Sequence, residues 1–236
     1  ISVTGVQTCA LPICRMADQP FDIIVVGCGA AGLSAAVAAQ QGGARVIVLE
    51  RAPQDERGGN TRYTGAWLRM KNENEVSDDF EEHFAANAGG YIDPSILKHA
   101  VAAEESQPPI LRAMSYVDPN VIETFAQEAP PTLAWLKRFG VRFIPLDIPF
   151  PTSVQPRIQP SGGGLALVEA LAPRVEKLGG KIFYETSARS LIQDADGAVV
   201  GLNAVTRGNR PVRFHGKSVI LGCGGFQGNG EMMTRY

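Results

Sequence analysis

Short apolar blocks and glycine breaks alternate at both ends of the chain, while a helical period fills the middle. Residues 22–26 form an apolar run of strand length, 27–32 a glycine-rich turn, and 33–41 an alanine-rich, helix-prone stretch stopped by Gly42-Gly43. Residues 45–49 are a second β run, and its near-continuous hydrophobicity predicts burial on both faces. Strand, turn, helix and strand at this spacing make a βαβ unit.

Residues 76–140 read as mostly helical, with Phe80, Phe84, Ile96, Leu97, Leu133, Trp135 and Leu136 at helix-compatible spacings. Asp93-Pro94 and Pro130-Pro131 are expected helix starts. Residues 145–160 carry five prolines and no period, which predicts a loop. The loop ends in Ser161-Gly162-Gly163-Gly164, which opens an amphipathic helix through about Lys177 that Gly179-Gly180 stop. The last third is β-rich, with runs at 182–184, 187–193, 198–205 and 212–215, and turns at Asp196-Gly197 and Arg207-Gly208-Asn209. A final apolar strand, 218–221, runs into Gly222-Cys223-Gly224-Gly225.

Composition adds little beyond the class. The 236 residues are 44% hydrophobic and 19% charged, with a net charge of −2. That balance gives no electrostatic reason to expect nucleic acid or an anionic membrane as partner. No apolar run reaches the roughly 20 residues a membrane-spanning helix requires. Residues 3–13 (VTGVQTCALPI) have no period and match one reading frame of an adapter oligonucleotide used in DNA sequencing. Residues 1–15 are therefore set aside as an adapter-derived or disordered leader, with the natural protein starting at Met16 or fused upstream. Of four cysteines, Cys9 and Cys14 fall in that leader. Cys28 and Cys223 read as small apolar side chains in crowded turns, not as a disulfide or metal pair. A reducing cytoplasm fits this usage.

Gly27-Cys28-Gly29-Ala30-Ala31-Gly32 fits G-x-G-x-x-G. A strand enters it, a helix leaves it, and Glu50 ends the next strand, the context of a dinucleotide site. Gly27 allows the tight turn, Gly29 lets a pyrophosphate approach the backbone, and Gly32 lets the helix pack on the sheet. Free N–H groups at the helix start then face the phosphates. Glu50 would accept the ribose hydroxyls and repel a 2′-phosphate, which argues against NADP. The fingerprint alone does not separate FAD from NAD.

The residues after Glu50 carry that distinction. Arg51 leads into Gly58-Gly59-Asn60-Thr61-Arg62-Tyr63-Thr64-Gly65, where an ordinary NAD fold would begin another helix and strand. With DIIVVGCGAAGLSAAVAAQQGGARVIVLER before it and SVILGCGGFQGNGEM at the end, the chain resembles the fumarate reductase and succinate dehydrogenase flavoprotein superfamily. The RGGNTRYT loop looks closest to tricarballylate dehydrogenases. The resemblance implies an α/β, Rossmann-like FAD-binding domain of the three-layer glutathione-reductase type over 16–236, with a helical and loop insertion at 76–160 and an antiparallel β crossover. It places Gly27, Gly29, Ala30, Ala31 and Gly32 at the pyrophosphate, with Glu50 and Arg51 at the adenosine. Gly58, Gly59, Asn60, Thr61, Thr64, Gly65 and Ala66 would wrap the pyrophosphate and flavin edge. Ala188 would meet the adenine through its backbone. Cys223, Gly224 and Gly225 would form the second glycine turn, where Gly222-Cys223 replace the family's usual Ala-Thr.

The same resemblance implies a hydride moving between flavin N5 and a carbon next to a carboxylate, with a small carboxylate as substrate and a separate electron acceptor. Asn60 stands where succinate dehydrogenases attach FAD through a histidine, so non-covalent FAD is expected. The catalytic side chains belong to a capping domain and a return segment expected beyond Tyr236; no catalytic residue is assigned, and the chain alone is expected to be inactive. A ketosteroid dehydrogenase of the same superfamily, a non-catalytic FAD-binding module and an NAD-binding dehydrogenase are the alternatives. Weaker candidates carry two readings each. Ser161-Gly162-Gly163-Gly164 is either a helix N-terminus facing a substrate carboxylate or a plain helix start. Arg157 is either a carboxylate ligand or a solvated loop residue. His83, His99 and His215 lack metal spacing, and Asp78, Asp79, Glu81 and Glu82 are an acidic helix start.

Overall fold

In a computed structural model the described residues are 14–15, 21–76, 99, 102–109, 112, 119–146 and 157–235. Residues 3–13, the helical pattern across 77–98, His83, the Asp93-Pro94 start and loop 147–156 lie outside them. The chain divides into two units, Ile1–Tyr63 with Val168–Tyr236, and Thr64–Leu167.

The first unit is built on one mixed sheet. Its strands are β1 (Cys14–Arg15), β2 (Phe21–Val26), β3 (Val46–Leu49), β8 (Lys181–Phe183), β9 (Thr186–Gln193), β10 (Val199–Thr206) and β11 (Arg210–Leu221). The order is β8-β3-β2-β11-β10-β9, and β1, at the end of the expected leader, pairs parallel with Val212 and Arg213 of β11. Strands β8, β3, β2 and the second half of β11 run parallel, with Val26 between Leu49 and Leu221. Helix α1 (Ala30–Gln41) makes the crossover from β2 to β3. On the sheet side it buries Gly32, Leu33, Ala36 and Val37. The crossover helix before β8, Gly163–Lys177, buries Val168, Leu171, Ala172 and Val175. The Gln40 side-chain amide donates to the Val175 carbonyl at 2.9 Å and ties the two helices together.

Alternation along β2 and β3 explains the layers. Ile24, Val26, Ile47 and Leu49 point to one face, where they meet Leu202, Ala204, Val212 and Phe214 of the β9–β10–β11 meander. Val25 points the other way, towards the glycine end of α1. With both faces covered, all four residues of β3 are buried, as a run without alternation requires. Helices, parallel sheet and meander form the expected three-layer α/β arrangement. At the amino-terminal end of the parallel strands, Asp22 accepts from the Arg45 amide at 2.9 Å and the Lys217 ammonium at 2.8 Å. Lys217 first and the Arg45 backbone second hold its carboxyl well below the usual carboxylate range.

Two expected β runs are joined, while the others shift by a residue at their ends. The stretches 212–215 and 218–221 are a single strand, β11. Its first half pairs antiparallel with β10 and its second half parallel with β2. The change of partner falls at Gly216, where a Cβ would come within 2.9 Å of the Ile24 side chain. That break in side-chain pattern mimics a turn.

The second unit holds hairpin β4 (Met70–Asn72) and β5 (Glu75–Val76), helix α2 (Pro119–Lys137), and strands β6 (Phe143–Pro145) and β7 (Ile158–Pro160). Counted in chain order, Gly163–Lys177 is α3 and Gly230–Arg235 is α4. Two expectations change here. Pro130 and Pro131 lie inside α2, not at a helix start. Each removes a ladder donor, but buried Leu133 and its contacts with Met70 and Ile158 hold the helix across them. The ends of the proline-rich stretch are also not loop, because β6 and β7 pair antiparallel, Ile144 opposite Gln159. Proline is tolerated in such edge strands, where its missing N–H costs no ladder bond.

Candidate functional site

The two glycine turns meet at the carboxyl ends of β2 and β11. Gly27 has φ +102, a conformation that favours glycine. A Cβ on it would lie 2.7 Å from the Gly222 carbonyl oxygen. Gly222 donates to the Val26 carbonyl at 2.9 Å, and a Cβ there would lie 2.7 Å from Gly32 Cα. The second turn is thus a packing partner of the first. Gly32 itself is buried beneath the turn, where a Cβ would fall 2.0 Å from the Gly27 oxygen. Its task is close packing, while Gly29 and Ala31 lie nearer the surface.

Helix α1 starts after Gly29, which has no side chain to cap it. Among the described residues, no protein acceptor takes the Gly29 or Ala31 amide. The Ala30 amide donates to the Thr61 hydroxyl at 3.0 Å, so Thr61 supplies from another loop the cap that Gly29 cannot. These amides at a helix N-terminus are suited to an anion.

Glu50, at the tip of β3, is fixed from both sides. Its N–H donates to the Phe183 carbonyl at 2.9 Å and its carbonyl accepts the Thr186 N–H at 2.8 Å. One carboxylate oxygen accepts the Cys28 amide at 2.8 Å and the other the Ala52 amide at 2.9 Å. The residue is only 6% exposed. A carboxylate has about four lone-pair sites, so two amide bonds leave acceptor capacity for sugar hydroxyls. The acid expected at the ribose therefore stands directly beside the amide turn. Ala188 is two residues beyond Thr186, opposite Ala204 in the meander.

The remaining predicted residues fall in three places. Arg51, Gly59 and Asn60 are exposed, and Gly58 is buried with φ +114. Thr64, Gly65 and Ala66 belong to the second unit. There the Thr64 hydroxyl accepts the Ala66 amide at 3.1 Å and the Thr64 carbonyl accepts the Gly164 amide at 2.8 Å. That bond occupies one of the first amides of the helix that Ser161-Gly162-Gly163-Gly164 open, leaving it unavailable to a substrate carboxylate. Gly224 and Gly225 are exposed beyond Gly222, and Gly224 has φ +77. Arg157 lies over the Trp67 ring at 6.0 Å, while His99 and His215 are exposed.

Cys28 fits its expected crowded turn and Cys223 does not: the first is fully buried, the second exposed. Burial, reinforced by Glu50, pushes the Cys28 thiol up to about 12. Burial likewise pushes the Tyr184 phenol up to about 12. Thiolate is the reactive form. Iodoacetamide at pH 8 should therefore label Cys223 in the native protein and spare Cys28 until denaturant is added, as read by peptide mass spectrometry. Equal labelling of both would contradict the buried assignment. Sequence reasoning missed the Arg57–Glu169 ion pair at 2.9 Å; an arginine directly before a glycine pair was its one visible signal.

The chain is similar to known proteins over most of its length. A family model described as FAD binding domain matches residues 22–236. The chain is 32% identical over 220 residues to urocanate reductase of Eggerthella lenta, covering 91% of this chain and 33% of that protein. It is 26% identical to NADH:acrylate oxidoreductase of Vibrio harveyi, covering 93% of this chain and 26% of that one. It therefore spans a third or less of the length of either. Among solved structures, 3-ketosteroid-delta4-(5alpha)-dehydrogenase from Rhodococcus jostii RHA1 shares the fold, with a TM-score of 0.67 and 24% identity over 93% of this chain and 49% of that one. The match runs from Asp22, in the strand that feeds the glycine turn, through the meander and the second turn; the chain belongs to the FAD binding domain family.

Proposed function

We propose that this chain is the dinucleotide-holding part of a FAD-dependent oxidoreductase that acts on a C–C bond next to a carboxylate. The observation that carries the reading is the Glu50 carboxylate 2.8 Å from the Cys28 amide, beside the Gly29 and Ala31 amides of the α1 N-terminus. In this reading the Gly29 and Ala31 amides hold the pyrophosphate, Ala30 lies between them with its amide kept on the Thr61 hydroxyl, and Gly27, Gly32 and Gly222 shape the turn beneath. Glu50, Arg51 and the Ala188 backbone hold the adenosine. In the first unit Gly58, Gly59, Asn60, Thr61, Cys223, Gly224 and Gly225 would serve the pyrophosphate and flavin, and in the second unit Thr64, Gly65 and Ala66 are read as flavin-edge residues. Bound FAD would supply the hydride exchange, and the chain's own groups bind, orient and exclude water.

The substrate is read as a small unsaturated or saturated carboxylate, a tricarballylate-like tricarboxylate among them, with a separate electron acceptor and a cytoplasmic location. The urocanate and acrylate enzymes among the relatives support the carboxylate class. Among the described residues no helix is long and apolar enough to cross a membrane. An apolar substrate, as in ketosteroid dehydrogenases, is the second reading. Its support is a cavity of about 550 Å³ in the second unit, lined by Leu68, Val121, Phe125, Leu133 and Phe143.

Asn60 cannot form the histidyl–flavin bond of succinate dehydrogenases, so FAD is held without a covalent link. Protein saturated with FAD and desalted should be yellow, and acid precipitation should leave all flavin in the supernatant. Flavin retained in the pellet would overturn the non-covalent assignment, and a colourless protein would overturn FAD binding.

A further inference from the structure

We propose that Arg57, through its ion pair with Glu169, is a positioning residue that sets the loop capping the nucleotide-binding helix. The inference rests on the reading that the α1 N-terminus takes the pyrophosphate. The Arg57 guanidinium is 12% exposed and donates from Nη2 to both Glu169 oxygens, at 3.0 and 2.9 Å, and from Nη1 to the Gln54 carbonyl at 2.8 Å. It therefore pins the loop after β3 onto α3. The next residue, Gly58, is buried against the same helix, where a Cβ would meet the Val168 side chain at 2.9 Å.

From that anchor the chain reaches α1 in two bonds. The Gly58 carbonyl accepts the Thr61 amide at 3.1 Å, and the Thr61 hydroxyl accepts the Ala30 amide at 3.0 Å. Thr61 also faces Gly29, where a Cβ would lie 3.3 Å from its hydroxyl. The loop is braced again where Arg62 Nη1 donates to the Asp55 carbonyl at 2.7 Å and the Arg57 carbonyl at 3.2 Å. The hydrogen bonds of Arg57 go to Gln54, Glu169 and Arg62, not to Gly29 or Ala30, so it acts through Thr61. Glu169 is 55% exposed and can rehydrate when its partner is lost. The main consequence of removing Arg57 is then a loosened loop, whereas Glu169→Gln leaves the largely buried guanidinium without its carboxylate.

The test compares ADP with adenosine on the 236-residue chain by isothermal titration calorimetry. Adenosine reads the Glu50 side of the site, and ADP adds the pyrophosphate. Arg57→Met and Glu169→Gln should each weaken ADP about tenfold, which corresponds to about 1.4 kcal/mol, and leave adenosine within about twofold. The charge swap Arg57→Glu with Glu169→Arg should recover most of the ADP affinity. Wild-type ADP affinity in Arg57→Met would overturn the inference. So would equal losses for ADP and adenosine with no recovery in the swap, which mark general destabilisation. If the wild-type chain binds neither ligand, the nucleotide-site reading itself fails.

Discussion

Gly32→Ala is expected to destabilise the chain by about 2 kcal/mol, although alanine is the better helix former. Replacing a helical glycine by alanine gains about 1 kcal/mol of propensity. Here the new methyl would sit 2.0 Å from the Gly27 carbonyl oxygen and 3.1 Å from its carbon, both backbone atoms. Neither can rotate aside, so α1 or the turn must move, and overpacking of this kind costs about 3 kcal/mol. The steric term wins. Gly29→Ala is the informative control, because its methyl would meet the Thr61 hydroxyl at 3.3 Å, close but tolerable. Urea denaturation should show a lowered midpoint for Gly32→Ala and a nearly unchanged one for Gly29→Ala. ADP binding should be lost in both. An unchanged midpoint for Gly32→Ala would mean that the turn does not rest on α1.

Glu50→Gln should lower both stability and nucleotide affinity. The two carboxylate oxygens accept the Cys28 and Ala52 amides, and an amide side chain can accept only one of these. Its NH₂ group would face the other N–H, leaving a buried donor unsatisfied at a cost of about 2 kcal/mol. The amide would also offer a donor where a ribose needs an acceptor. ADP affinity should fall by about tenfold or more, by titration calorimetry. The same variant should shift the Cys28 or Ala52 amide in ¹H–¹⁵N spectra. Wild-type stability with wild-type affinity would remove Glu50 from both roles.

The parts of the fold legible in the sequence are those where local chemistry and tertiary role coincide. Residues 22–50 are such a stretch: continuous burial in β3, glycine at the turn and an acid at the strand tip admit few arrangements. The hairpin at Asp196-Gly197 is another, because Gly197 has φ +85 and the Asp194 carboxylate takes the Asp196 and Ala198 amides. Legibility fails where a partner elsewhere in the chain decides the structure. Pro130-Pro131 look like a helix start until Leu133 is seen buried against Met70. Gly216 looks like a strand end until β11 is seen to change partners there. Within the site, the turn role of Gly27, the packing role of Gly32 and the placement of Glu50 beside the turn follow from the motif. The cap lent by Thr61 and the Arg57–Glu169 brace do not, since both join residues 31 or more positions apart.

The central claim is that the amides at the start of α1, with Glu50 beside them, receive the phosphates of a dinucleotide. The most direct measurement is a ¹H–¹⁵N titration of the chain with ADP, followed residue by residue. The account predicts saturable shifts at Gly29, Ala30 and Ala31, with Cys28 moving as its bond to Glu50 adjusts. Saturable binding that leaves those four amides unmoved would contradict it.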